Sequence, residues 1–564
     1  MMNRDFVLKV LIALCLAVLL CSAVAGSDIQ WLSNFGGKSS DSFNSIVNTS
    51  DGGFVAVGSS NQESFGNGDW TGISSKGNSD ATIVKYDAQG NILWKKTFGG
   101  SGNDYFYSVT PTPTDGGFVA AGYSSANSFG TVDWVGVSGK GNYDAIIVKF
   151  DVNGNVLWKK NFGGIGEDYF KTVVFPSSGG FVAAGFSYQD SFGTGDWAGV
   201  VGNGYYDAII VKYSASGNIL WKKNFGGSGF GSFRSLAASS DGGVVAVGNY
   251  DSYNATIVKY NSQGTLLWSK TLSHTYLNFV AAAPDGGFVA VGEIDLYNNA
   301  IIKFDAQGNV TWNKKEGGYT FLSVAIASDG KITVVGYDWD GFDLYENLAT
   351  IARYDQLGNK LIIRNFESSY NDGFNAVTTS SDGGFVAVGG SSSFGNGDWT
   401  GIIGRGGSDA IIVKISPISV NGTINLQSFI GDKLGVSGKA EIRDNVTGEL
   451  IRSHPIILDS AGNYAFETIL EGNYTISLKC SHWLSQSKPI SLNVGDNNVD
   501  FSLINGDCNN DNWVDESDFA IISNAWYSSP GDTKFNKLAD LDGDAFIDES
   551  DFTILSNSWY QSGE

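Results

Sequence analysis

Short apolar runs separated by glycine-rich turns fill most of this chain, and the runs repeat. The segment Asp51–Gly58 (DGGFVAVG) recurs as Asp115–Gly122, Ser178–Gly185, Asp241–Gly248, Asp285–Gly292, Asp329–Gly336 and Asp382–Gly389, seven copies in all. A second run of the type Ala81–Tyr86 (ATIVKY) follows each copy. An amphipathic third run then centres on Trp94, Trp158, Trp221, Trp268 or Trp312, with Leu361–Arg364 as a copy lacking the tryptophan. β-Branched and aromatic content marks all three runs as strands. Asp-Gly-Gly supplies the positive φ that a tight hairpin requires. The pattern predicts one four-stranded antiparallel meander per copy. Such a sheet cannot bury both faces alone, whereas a ring of stacked sheets can, which predicts a mainly β fold led by a seven-bladed β-propeller.

The ends of the repeat region predict how the ring closes. The seventh copy stops at Ile415 without a third run, while Ile29–Gly37 (IQWLSNFGG) is a third run with no copy before it. Joining the two closes the propeller over residues 29–416 and leaves no open sheet edge. These repeats resemble bacterial β-propeller repeat families with Gly-Gly-Phe-Val-Ala-Gly and Phe-Gly-Gly signatures; the resemblance implies an extracellular propeller and assigns no activity. Successive copies start 64, 63, 63, 44, 44 and 53 residues apart. The excess is an insertion at Ser64–Gly72 and at 128–136, 191–199 and 393–401, in blades one, two, three and seven, which are neighbours in a closed ring. Each insertion carries an Asp-Trp pair: Asp69-Trp70, Asp133-Trp134, Asp196-Trp197 and Asp398-Trp399. Asp41, Asp104, Asp168 and Asp372 stand on the blade-to-blade links of the same face. Two roles suit the pairs. Exposed indoles beside carboxylates would form a shallow glycan-binding surface, and confinement to four adjacent blades predicts this role. Repetition of a residue equally suits a structural pin that holds each long loop against its neighbour.

Residues 417–503 lose the repeat and show alternating strands such as Gly438–Arg443, Tyr464–Thr468 and Gly472–Lys479, with turns at Asp459–Asn463 and Glu471–Asn473. They predict a small β-sandwich. It resembles carboxypeptidase-regulatory-like domains, which implies a spacer or adhesive module without catalytic residues. The C-terminal pattern is different again. Asp507, Asn509, Asp511, Asp515 and Asp518 are matched thirty-three residues later by Asp540, Asp542, Asp544, Asp548 and Asp551. Oxygen side chains at positions 1, 3, 5, 9 and 12, with the backbone carbonyl of Trp513 or Phe546 at position 7, have the spacing of a calcium loop. An apolar helical run follows each loop, at Phe519–Tyr527 and Phe552–Tyr560. This duplicated loop-helix unit, residues 505–561, resembles a type I dockerin. The resemblance implies two bound Ca2+ ions and a cohesin domain as partner, docked over Glu516, Ser517, Glu549 and Ser550. Position 6, usually Gly, is Asn512 in the first loop and Ala545 in the second, which predicts strain in the second.

Charge and cysteine usage narrow the class further. A net charge of −23 excludes a nucleic-acid surface, which needs clustered Lys and Arg. Three scattered histidines leave little material for a His-centred triad or metal site. Residues 1–25 read as a secretory signal, with Arg4 and Lys9, an apolar run from Val10 to Leu20 and a small-residue site at Ala23–Ala25. Beyond it no segment is apolar enough to span a membrane, and only Cys480 and Cys508 remain, read as two unreactive thiols rather than a disulfide. The expectation is a secreted, non-catalytic binding protein: a propeller recognising a polysaccharide or protein, and a dockerin tethering it to a cohesin-bearing scaffold or surface. A polysaccharide-degrading enzyme with a propeller as its catalytic body is the alternative, and it requires two carboxylates at a set separation.

Overall fold

The computed structural model describes residues 29–294, 298–338, 347–366, 371–380, 382–416, 418–468, 470, 472–493 and 495–564. The signal sequence expected at 1–25 lies outside the described residues. The chain divides into two compact units, Ile29–Ile415 and the remainder from Ser416.

In the first unit seven four-stranded sheets follow one another, each a meander in chain order except the last. In that blade Asp372–Thr379, Phe385–Ser391 and Asp409–Ile415 are completed by Ile29–Phe35, paired antiparallel with Asp409–Ile415. The second and third strands of each blade are continuous buried runs, as in Phe54–Val57 and Ala81–Tyr86, because sheets press on both of their faces. The hairpin aspartate does more than turn the chain. Asp51 pairs with Lys85, and the same pair recurs as Asp115–Lys149, Asp241–Lys259, Asp285–Lys303 and Asp382–Lys414. Outer-strand tryptophans reach the next blade: Trp31 donates Nε1–H to the Ala88 carbonyl and Trp158 to that of Ala215, at 3.1 Å each. The Trp31 ring lies where a Cβ on Gly90 (φ +83°) would stand, so that turn tolerates only glycine.

Every innermost strand carries one β-bulge at the same place. The register slips between Phe43 and Ser45 in blade one, and at Phe106/Ser108, Phe170/Thr172, Phe233/Ser235, Leu277/Phe279, Phe321/Ser323 and Phe374/Ala376 in the others. The residue in the bulge is thereby turned toward the centre of the ring.

In the second unit, Ile418–Leu426 pairs antiparallel with Asn463–Thr468 and parallel with Gly495–Asn498 and Phe501–Leu503. The facing sheet runs Leu450–Ile457, Ser437–Asp444, Gly472–Cys480, Gln486–Leu492. Val420, Ile442, Ile476, Leu478 and Trp483 fill the space between the sheets. Helices α1 (Glu516–Ala525) and α2 (Glu549–Asn557) follow, packed around Val514, Ile522, Ile547 and Leu555. Cys480 and Cys508 are free, buried thiols.

Candidate functional site

The Asp-Trp insertions are not a glycan surface. Trp70, Trp134, Trp197 and Trp399 are each 0% exposed. Each indole N–H is committed: Trp134 donates to Asp104 Oδ1 and Ser124 Oγ, both at 3.1 Å, and Trp399 to Asp372 Oδ2 at 2.9 Å. Trp70 and Trp197 repeat this on Asp41 and Asp168. Rings close the remaining sides, with Phe98 edge-on to Trp134 at 5.0 Å and Phe129 tilted at 4.9 Å. The link acids therefore serve as anchors for the indoles. Burial pushes the carboxyls of Asp41, Asp104 and Asp168 above the ordinary range even with those hydrogen bonds.

The paired aspartates staple blade to blade. Asp133 accepts from Gly99 N at 3.0 Å and from Lys76 Nζ at 2.5 Å, both contributed by blade one. Asp196 takes Lys140 of blade two, Asp69 takes Arg405 of blade seven, and Asp398 takes Arg364 of blade six. Each Asp-Trp loop is thus held by a cation from the blade before it. The sequence held the signal: in each of these four repeats the loop tryptophan and the link aspartate occur together.

At the C-terminus the structure gathers the predicted loop residues. Asp540, Asp542 and Asp544 each bring a carboxylate oxygen within 4.8 Å of the others. Asp507 is fully buried, and its Oδ1 has no hydrogen-bond partner. Asn512 and Ala545 both adopt left-handed backbone, φ 74° and 70°, so the second loop makes the turn with a residue that bears the steric cost. Asp515 and Asp548 cap α1 and α2, while Asp518 and Asp551 close the capping boxes. Burial raises the carboxyl of Asp551 to about 6, against the pull of its backbone hydrogen bonds. Trp513 and Phe546 hold position 7 with half-exposed side chains. A buried unpaired carboxylate oxygen and three converging carboxylates fit a hard divalent cation bound through oxygen.

The sandwich braces both loops. Lys479 Nζ lies 2.6 Å from Asp507 Oδ2, and Asn512 donates to Ser485 Oγ at 2.8 Å. On the second loop Ile430 N donates to the Asp542 carbonyl at 2.7 Å, and the Phe429 ring covers Gly543. Glu516, Ser517, Glu549 and Ser550 are exposed at the helix starts. The two glutamates are oriented reciprocally: Tyr560, beyond α2, donates to Glu516, and Tyr527, beyond α1, donates to Glu549.

The sequence reading missed the centre of the ring. The bulge residues Asn44, Tyr107, Lys171, Arg234, Asn278, Leu322 and Asn375 line a cavity of about 520 Å³. Beside it a strip of rings runs from blade two to blade four, Tyr123–Tyr169 at 4.9 Å, Tyr169–Phe186 at 4.8 Å, Phe186–Tyr206 at 5.1 Å and Tyr206–Phe230 at 5.1 Å. The available signal was a variable residue in a constant frame, as in Phe43-Asn-Ser, Phe106-Tyr-Ser, Phe170-Lys-Thr and Phe233-Arg-Ser.

Residues 505–558 match the model of the dockerin type I domain. The C-terminal region is similar to a chain of a type II cohesin–X-dockerin complex from Acetivibrio cellulolyticus, at 20% identity over 26% of this chain and 97% of that one, with a TM-score of 0.22. The propeller is similar to the WD40 β-propeller domain of Doa1, at 11% identity over 69% of this chain and 96% of that one, with a TM-score of 0.41. Among curated proteins, the regulatory protein FlaEY of Caulobacter vibrioides is 26% identical over 167 residues; the match spans 28% of this chain and only 17% of that protein.

Proposed function

We propose that this chain, whose C-terminal module is a dockerin type I domain, is an extracellular binding protein that the dockerin tethers to a cohesin domain while the propeller recognises a ligand. The observation that carries the tethering role is the duplicated loop-helix pair with its exposed Glu516-Ser517 and Glu549-Ser550. Two equivalent faces allow a cohesin to be engaged in either of two orientations. Calcium would be held by Asp507, Asn509, Asp511, Asp515 and Asp518 in the first loop and Asp540, Asp542, Asp544, Asp548 and Asp551 in the second, with the carbonyls of Trp513 and Phe546. The ion supplies charge neutralisation: it lets these acids stand together at the starts of α1 and α2. The sandwich serves as a spacer that braces the loops.

A non-catalytic role for the propeller is supported by the state of the acids on its blade links and long loops. Asp41, Asp104, Asp168 and Asp372 are tied to indoles, and Asp69, Asp133, Asp196 and Asp398 to cations of the preceding blade. None of these carboxylates is free to act as an acid–base pair on a sugar. Calorimetric titration of the full chain with a panel of cohesin domains, in calcium and in chelator, tests the tether. Binding in calcium that chelator abolishes is expected; absence of binding across the panel, or binding indifferent to chelator, overturns it. Release of reducing sugar from a polysaccharide panel would overturn the non-catalytic role.

A further inference from the structure

The central cavity of the propeller takes one bulge side chain from each blade, and apart from Leu322 of blade six these side chains are of two kinds. In three blades the bulge residue is asparagine, and it ties its blade to the next. Asn44 donates to the Phe106 carbonyl at 2.9 Å, Asn278 to that of Phe321 at 3.1 Å, and Asn375 to that of Phe43 at 2.9 Å. Blades two, three and four abandon this lock for Tyr107, Lys171 and Arg234, which stand side by side.

Lys171 and Arg234 differ from the cations that pin the hairpins and the long loops. The hairpin residues Lys85, Lys149, Lys259, Lys303 and Lys414 and the staple residues Lys76, Lys140, Arg364 and Arg405 each face a carboxylate, and Lys212 bonds the Ser178 hydroxyl. Among the described residues, Lys171 and Arg234 have no carboxylate partner. Lys171 Nζ instead lies 3.6 Å from the centre of the Tyr107 ring, and Arg234 donates to Asn278 Oδ1 at 3.0 Å. Burial, and then the neighbouring Arg234, pull the Lys171 ammonium down to about 8. Two adjacent unpaired cations in a protein of net charge −23 form a local positive site inside a negative field.

The aromatic strip beside them also breaks the repeat. Paired positions on the first two strands read Ser42/Ser59 in blade one and Gly373/Gly390 in blade seven, but Tyr105/Tyr123 in blade two and Tyr169/Phe186 in blade three. The start of the third strand follows suit, with Ser79 in blade one against Tyr143 and Tyr206. The fold is made with serine and glycine at these places, so the rings are not required by it. A cavity of about 520 Å³ lies within the range of roughly 300–1,000 Å³ typical of ligand sites.

We infer that the channel mouth over blades two to four binds a carboxylate-bearing saccharide, its sugar rings against Tyr123, Tyr169 and Phe186 and its carboxylate between Lys171 and Arg234. Flat rings suit the apolar faces of sugars, the asparagine amides suit hydroxyls, and paired cations suit a carboxylate. The surrounding negative charge disfavours long polyanions such as nucleic acid, and leaves a compact acid that enters the cavity. The inference rests on the recognition role proposed above for the propeller and adds to it a place and a ligand class.

The test is calorimetric titration of the full chain in calcium with tri-galacturonate, with neutral galactotriose, and with an acidic peptide. Tri-galacturonate is expected to bind at least about tenfold more tightly than the neutral trisaccharide, the factor expected from one charge-assisted contact. Lys171→Met and Arg234→Met, the second on an exposed side chain, are each expected to weaken that binding about tenfold with the melting temperature unchanged. Galactotriose binding that neither variant alters overturns the carboxylate site and leaves the recognition role standing. Acidic peptide bound as tightly as tri-galacturonate overturns the saccharide assignment. Absence of binding to all three probes, in a sample that still captures a cohesin, overturns the inference while the tether stands.

Discussion

The Asp-Trp staples and the channel mouth occupy the same face of the same ring, and they obey opposite rules. The staples repeat almost residue for residue in four blades, and their tryptophans are wholly buried. The channel mouth repeats only in its frame. The bulge recurs in all seven inner strands, yet its occupant changes from asparagine to tyrosine, lysine, arginine and leucine. In a repeat protein the blade-to-blade contact is the same problem posed many times, so its solution recurs. A ligand meets the ring once, from the centre, so the residues that suit it need not recur. Repetition of a polar-aromatic pair is therefore evidence of packing, and the departure from repetition is where binding chemistry collects.

Deleting Ile29–Phe35 removes the outer strand of blade seven and exposes the edge of Asp409–Ile415. The propeller should melt at a lower temperature, with hydrogen-exchange protection falling first in residues 372–415; unchanged melting would sink the closure. Trp134→Ala should cost about 3–5 kcal/mol, the range for emptying a buried aromatic site, and should leave ligand affinity of the folded protein unaltered. Loss of affinity without loss of stability would reverse the roles assigned to the two regions. Asp133→Asn weakens the link to Lys76 and to the Gly99 amide, on a side chain 29% exposed. It should cost about 1 kcal/mol in urea denaturation.

The smallest effect sharpens the other side. Lys171 is cationic below about 8 and loses its charge above it, whereas a uronate stays ionised throughout. Affinity for tri-galacturonate should therefore decline between pH 7 and pH 9.5, and the decline should vanish in Lys171→Met. The groups that face Lys171 are Tyr107, Tyr169, Phe186 and Arg234. Burial raises both phenols above their ordinary range, so neither gains charge over that interval. A pH profile as steep in the variant as in the parent would remove Lys171 from the site.

Much of this molecule could be read from its sequence, because the determining interactions are local or repeated. Asp-Gly-Gly turns and short apolar runs mark the blade, and the orphan third run at Ile29 matches the gap after Ile415. The two calcium-type loops are also local, with ligand spacing, left-handed turn and helix cap all lying within twelve residues of one another. What the indoles do was decided by tertiary structure. Trp134 meets Asp104 thirty residues away, and Asp133 meets Lys76 at a separation of fifty-seven. Burial depends on those meetings, and no periodicity along the chain encodes it. Likewise Lys171 and Arg234 stand together only because one residue in each inner strand is bulged toward a common axis. Sequence fixes which side chains a turn or strand carries; closure of the ring decides which of them face one another, and therefore which are packed away and which remain open to a ligand.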